Sequence, residues 1–128
     1  MNDRRPRTIL LVEDNDGLRS AIQTQLERLG HDVIAVGDGA TALDVAEARP
    51  DGIDLLLIDV ELPVMMGPEV ARRLGSSQRG MRLLFISGRA PEVGETWAET
   101  PGSFLEKPFT LTDLKQRLST LLADGEHG

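Results

Sequence analysis

Cysteine is absent from this 128-residue sequence. That excludes disulfides, a thiolate nucleophile and a cysteine-ligated metal, and it fits a reducing compartment. Histidine is almost absent, with His31 and His127 as the two copies, too few for a histidine-rich metal site. Any metal would be a hard cation held by oxygens. Tyrosine is missing, and one Trp and three Phe supply all the aromatic rings. The core must therefore be aliphatic. No apolar run approaches the roughly 20 residues that cross a bilayer. The run after the basic start, Ile9 to Val12, is too short for a signal-peptide core. An excess of positive charge is missing too. The formal net charge of −7 argues against direct binding to a nucleic-acid backbone, which needs a positive face. The composition predicts a cytoplasmic protein with no membrane partner.

What is present is organised around Asp54-Leu55-Leu56-Leu57-Ile58-Asp59. Four apolar residues in a row fit a strand buried on both faces of a parallel sheet. The run stops on a carboxylate. In open α/β sheets, ligands bind at the carboxyl ends of the strands, so an acid there is placed for chemistry.

Other segments repeat the pattern. Residues 8–12 read as a buried strand ending on Glu13-Asp14. Asn15 or Asp16 can cap a helix striped by Leu18, Ile22, Leu26 and Leu29 and closed by Gly30. A strand over 31–36 follows, with His31 as a surface residue at its start. Asp38 caps a helix over 39–48 that packs through Ala42, Leu43, Val45 and Ala46. After the central strand, Pro68 at the first helical position opens a third helix with Val70, Ala71 and Leu74 inward. Residues 75–80 form a polar loop. Residues 81–86 form a strand ending on Ser87, and a short helix is expected at 92–99. Residues 103–106 form a last strand ending on Lys107-Pro108. Thr110 and Asp113 form a capping box for a final helix striped by Leu111, Leu114, Leu118, Leu121 and Leu122.

Strands alternating with helices imply a doubly wound α/β domain with a five-stranded parallel sheet. One domain spans 1–128, with an ordered core at about 8–122 and flexible termini.

Four strand ends then carry Glu13-Asp14, Asp59, Ser87 and Lys107, all on one sheet edge. Carboxylates packed together repel unless a cation joins them, and Mg²⁺ binds through one or two carboxylates while keeping several waters. Lys107 and the Ser87 hydroxyl add groups for an anion. Phosphoryl transfer needs this combination of charge neutralisation and positioning. The central carboxylate, Asp59, is the candidate nucleophile, giving an acyl phosphate.

The residues Val12-Glu13-Asp14-Asn15, Leu57-Ile58-Asp59-Val60-Glu61-Leu62-Pro63, Ile86-Ser87-Gly88 and Phe104-Leu105-Glu106-Lys107-Pro108-Phe109 together resemble the receiver domain of two-component response regulators. The likeness runs from about residue 8 to residue 122. It implies a flavodoxin-like sheet with strand order 2-1-3-4-5. It implies that Asp59 takes a phosphoryl group from a histidine kinase or a histidine phosphotransfer protein. Glu13, Asp14, Asp59 and the Glu61 carbonyl would hold Mg²⁺, Glu13 through water. Lys107 would pair with the phosphoryl group, and Ser87 and Phe104 would act as the switch. It also implies a cis Lys107-Pro108 bond and a downstream protein partner on the face of the fourth helix, fifth strand and fifth helix. Parts of the wording look like receivers attached to hybrid kinases. Two alternatives have a different character: a Mg²⁺-dependent aspartate-nucleophile phosphatase, and an interaction module that needs no phosphate. The first usually requires an Asp where this chain has Glu61.

Overall fold

The computed structural model describes residues 6–92, 95 and 104–123. Among the described residues the elements are, in order, β1 (Thr8–Val12), α1 (Asp16–Arg28), β2 (Asp32–Val36), α2 (Gly39–Glu47), β3 (Leu55–Asp59), α3 (Gly67–Gly75), β4 (Arg82–Ser87), β5 (Phe104–Glu106) and α4 (Leu111–Leu122). All strand pairs are parallel, and the sheet order is β2-β1-β3-β4-β5. β3 is central and buried along its whole length, which is why it reads as an unbroken apolar run.

Side chains alternate between the two faces of the sheet. Leu10, Val12, Leu56, Ile58 and Phe85 pack with Ala42, Ala46, Val70 and Leu74 under α2 and α3. Ile9, Leu11, Leu55, Leu57, Leu84 and Ile86 pack with Ile22, Leu26, Leu114 and Leu118 under α1 and α4. No helix among the described residues is long and apolar enough to cross a membrane.

The helix ends follow their local chemistry. The side chains of Asn15, Asp38 and Thr110 accept from Leu18, Thr41 and Asp113 amides, and the Thr110–Asp113 capping box is complete. Gly30 takes φ +96° just past α1, where a side chain would be strained.

Several expectations are corrected. Pro68 is the second residue of α3, because Gly67 occupies the first position. Leu29 and Leu111 stay 40% and 47% exposed, since one caps the end of α1 and the other opens α4. His31 precedes β2 and is half-buried, and its Nδ1 accepts from the Arg7 amide at 3.2 Å. The loop 75–80 is not wholly surface: Gln78 is buried. The expected helix at 92–99 lies outside the described residues except for Glu92 and Glu95, as do Ser103 and the C-terminal tail with His127.

Candidate functional site

The carboxyl edge of the sheet gathers charge from three segments. Glu13 follows β1 and shares the side of Ile9 and Leu11. Asp59 ends β3 on the side of Leu55 and Leu57, and Lys107 follows β5 on the side of Leu105. The alternation therefore aims all three toward one another. Lys107 Nζ lies 2.6 Å from Asp59 Oδ2 and 3.2 Å from Glu13 Oε1. Carboxylate oxygens of Glu13, Asp14 and Asp59 lie within 4.8 Å of one another. Asp14 is exposed, while Glu13 and Asp59 are buried.

The buried acids are only partly satisfied. Glu13 Oε2 accepts from the Asn15 amide at 3.0 Å. Glu13 Oε1 is buried and has no hydrogen-bond partner; the Lys107 ammonium beside it supplies charge without bond geometry. Burial foremost, and then the Asp59 charge, push the Glu13 carboxyl up to about 7, against the Asn15 amide and Lys107. Burial would lower Lys107, but its hydrogen bond to Asp59 and the two carboxylate charges outweigh that and raise it. One lysine facing an orphaned, hard-oxygen donor set fits a divalent cation such as Mg²⁺.

Surrounding groups fix this edge. The Glu61 amide donates to Asp59 Oδ1 at 3.0 Å. The Arg19 guanidinium donates to the Glu13 carbonyl at 2.9 Å and to Asp16 at 2.8 Å, tying the end of β1 to α1. A Cβ on Gly67 would stand 2.2 Å from the Asp59 carbonyl oxygen, so only glycine lets α3 start this close. The loop between holds Val64 at φ +70° and fully exposed, a strained conformation for a β-branched residue.

Ser87 ends β4 one residue past Ile86, the register partner of Asp59; it is fully buried, and its Oγ accepts from the Arg89 amide at 3.2 Å. Phe104 is half-buried against the α2–α3 side of the core, and its carbonyl accepts from Arg117 of α4. The Lys107-Pro108 peptide bond is cis. The structure thus brings Glu13, Asp14, Asp59 and Lys107 together, with Glu61 and Ser87 alongside. The Glu61 carboxylate is turned away, to Arg89 at 3.0 Å. Sequence reasoning missed Arg19 and Gly67. A glycine directly before a helix-opening proline was the available signal for Gly67. Nothing local marked Arg19 beyond its spacing from Asp16.

The comparisons with known proteins point the same way. The family described as the response regulator receiver domain matches residues 9–119. The response regulator receiver protein CpdR of Brucella abortus is 32% identical over 118 residues, covering 91% of this chain and 97% of that protein. The sensor kinase CckA of Brucella abortus is 32% identical over 117 residues, covering 90% of this chain but 12% of the kinase. The chain spans half of a third relative, the regulator PhoP of Bacillus subtilis, at 30% identity over 94% of this chain. Among solved structures, the receiver domain of the sensor kinase PA1611 of Pseudomonas aeruginosa superposes with TM-score 0.72 at 29% identity. That match covers 93% of this chain and 99% of that one, and its cleft is described with a coordinated magnesium ion. The chain belongs to the family of response regulator receiver domains of two-component systems.

Proposed function

We propose that Asp59 is the phosphoacceptor of this receiver and that Glu13, Asp14, Asp59 and the Glu61 carbonyl hold Mg²⁺ beside it. The observation that carries the reading is the Lys107 ammonium, 2.6 Å from Asp59 Oδ2 and shared with a buried, half-satisfied Glu13. In the transfer, the P–N bond of a partner's phosphohistidine breaks and a P–O bond to an Asp59 oxygen forms. The imidazole leaves and regains its proton from the partner's side. When bound, Mg²⁺ would supply charge neutralisation for the phosphoryl oxygens. Lys107 turns its ammonium from Asp59 Oδ2 to a phosphoryl oxygen. The Ser87 hydroxyl rotates from the Arg89 amide to donate to another. Phe104 follows inward, and the gain is a shift between two populations set by these differential contacts.

The donor is a histidine kinase or histidine phosphotransfer protein in the cytoplasm. The output is a protein partner, engaged on the face of β5 and α4. Self-phosphorylation and slow loss of the phosphoryl group are the only chemistry, in contrast to a turnover phosphatase.

Incubation with Mg²⁺ and acetyl phosphate, followed by intact-mass analysis, tests the reading. One phosphoryl group is expected on the wild type and none on Asp59→Asn. An unlabelled wild type, or an equally labelled variant, overturns it.

A further inference from the structure

A second cation at this edge is fully committed in the resting protein. Arg89 Nε lies 3.0 Å from Glu61 Oε2, and its two terminal nitrogens lie 2.7 and 3.0 Å from the two Glu95 oxygens. The Glu95 pair is a two-pronged fork, the geometry in which guanidinium binds a carboxylate or a phosphate equally well. The same Glu95 carboxylate also accepts from the Glu92 amide at 2.8 Å, so it is held in place for the clamp.

Position makes this clamp more than a surface pairing. Arg89 is anchored at the site by its own amide, which donates to Ser87 Oγ. Glu61 is anchored there as well, through its amide on Asp59 Oδ1. The guanidinium therefore bridges the ends of β3 and β4, on the edge that carries the Asp59 carboxylate. Two carboxylates share one guanidinium, so the cluster carries a net negative charge where an anion would arrive.

Resting on the reading of Asp59 as phosphoacceptor, we propose that Arg89 is a positioning residue for the phosphoryl group, held in reserve by Glu95. The resting carboxylate occupies the fork, and a phosphoryl group on Asp59 competes for it. When the Ser87 hydroxyl leaves the Arg89 amide, the backbone tie that fixes the resting loop is released at the same step. Glu95 is thus a built-in competitor that weakens phosphoryl capture until the switch moves.

The proposal makes opposite predictions for the two partners of one ion pair. Beryllofluoride with saturating Mg²⁺ serves as the probe, with bound fluoride read by ¹⁹F NMR. Glu95→Gln keeps the shape and frees the fork, and it should tighten beryllofluoride at least about five-fold. Arg89→Ala should weaken it by a similar factor, Arg89→Lys should recover part of the loss, and the double variant should match Arg89→Ala. If the clamp only braces the loop, breaking it from either side moves affinity in the same direction, and that result overturns the proposal. Unchanged affinity in Glu95→Gln also overturns it. A wild type that takes up no beryllofluoride overturns both this proposal and the phosphoacceptor reading, whereas a wild type that binds while the variants fail the pattern overturns this one alone.

Discussion

The two edges of the sheet are built from similar residues and treat them differently. At the amino edge, polar groups are paired. Asp54 Oδ2 accepts from the Thr8 amide at 2.8 Å, while the Asp54 amide donates to the Thr8 carbonyl and its own carbonyl accepts from Arg82. Buried Gln78 accepts from the Ile53 amide and donates to the Ala46 and Arg49 carbonyls, at 2.8 to 3.0 Å. Burial, then the Arg7 charge, lowers the His31 imidazole, matching a neutral ring that accepts from Arg7. At the carboxyl edge a buried carboxylate oxygen is left without a hydrogen bond, and acids outnumber the lysine among them. Satisfied buried polar groups hold a fold together, while unsatisfied ones cost stability and persist where a ligand completes them. The contrast separates buried polar groups whose bonds are complete from a buried group left open to a ligand.

The sharpest way to break the contrast is Gly67→Ala. Its Cβ would meet the Asp59 carbonyl oxygen and the Val60 Cα, which are backbone and cannot turn aside. A loss of about 4 kcal/mol is expected, an exceptional value for a point change. Urea unfolding measures it, and magnesium affinity should fall along with it, since the end of β3 must move.

Gln78→Met tests the amino edge alone. It keeps the volume but strips partners from the Ile53 amide and two carbonyls, and about 3 kcal/mol of stability should be lost. Magnesium and beryllofluoride affinities of the folded variant should not change. Weakened binding would show that the edges are not independent.

Acidity probes the carboxyl edge. Glu13 is raised in the folded protein from 4.5 to about 7. The folded state therefore holds a proton that the unfolded chain has released. The contribution of this group to cation-free stability should be greatest below about pH 4.5, fall between there and about pH 7, and then level off, by at most about 3 kcal/mol. Glu13→Gln should flatten this slope and stabilise the cation-free protein above pH 7 by about 1–2 kcal/mol, because the lost Lys107 attraction offsets part of the gain. Magnesium should stabilise the wild type more at pH 8 than at pH 5, as carboxylates must shed protons to bind it. Thermal melts across pH with and without the ion read all three effects.

The smallest effect is at Val64. Its left-handed backbone has no steric need of a valine, since the side chain is fully exposed. Val64→Asn should raise stability by about 1 kcal/mol, leaving the acidic cluster untouched.

The carboxyl edge was the more legible of the two in the sequence. Glu13, Asp14, Asp59, Ser87 and Lys107 each stand just after or at the end of an apolar run, so the strand pattern itself points to them. Helix starts were equally visible, because Asn15, Asp38 and Thr110 act on amides three residues away. Gln78 was not visible. It lies in Ser76-Ser77-Gln78-Arg79-Gly80, whose polar wording describes a surface loop, and its burial depends on carbonyls some 30 residues back. The exposure of Leu29 and Leu111 was hidden for a related reason: periodicity marks a face of a helix but not where that face runs out past its neighbours. The Arg89–Glu95 fork was hidden as well, because an Arg and a Glu six residues apart outside a helix carry no pairing signal.

Arg7 closes the amino edge by donating to the Leu122 carbonyl at 2.8 Å, and Arg82 donates to that of Leu121. The entry to β1 and the exit from α4 are thereby stitched side by side, on the side of the molecule remote from Asp59. A probe carried on the outer face of this seam would thus sit clear of the acidic cluster and report on the packing of α4 against β1.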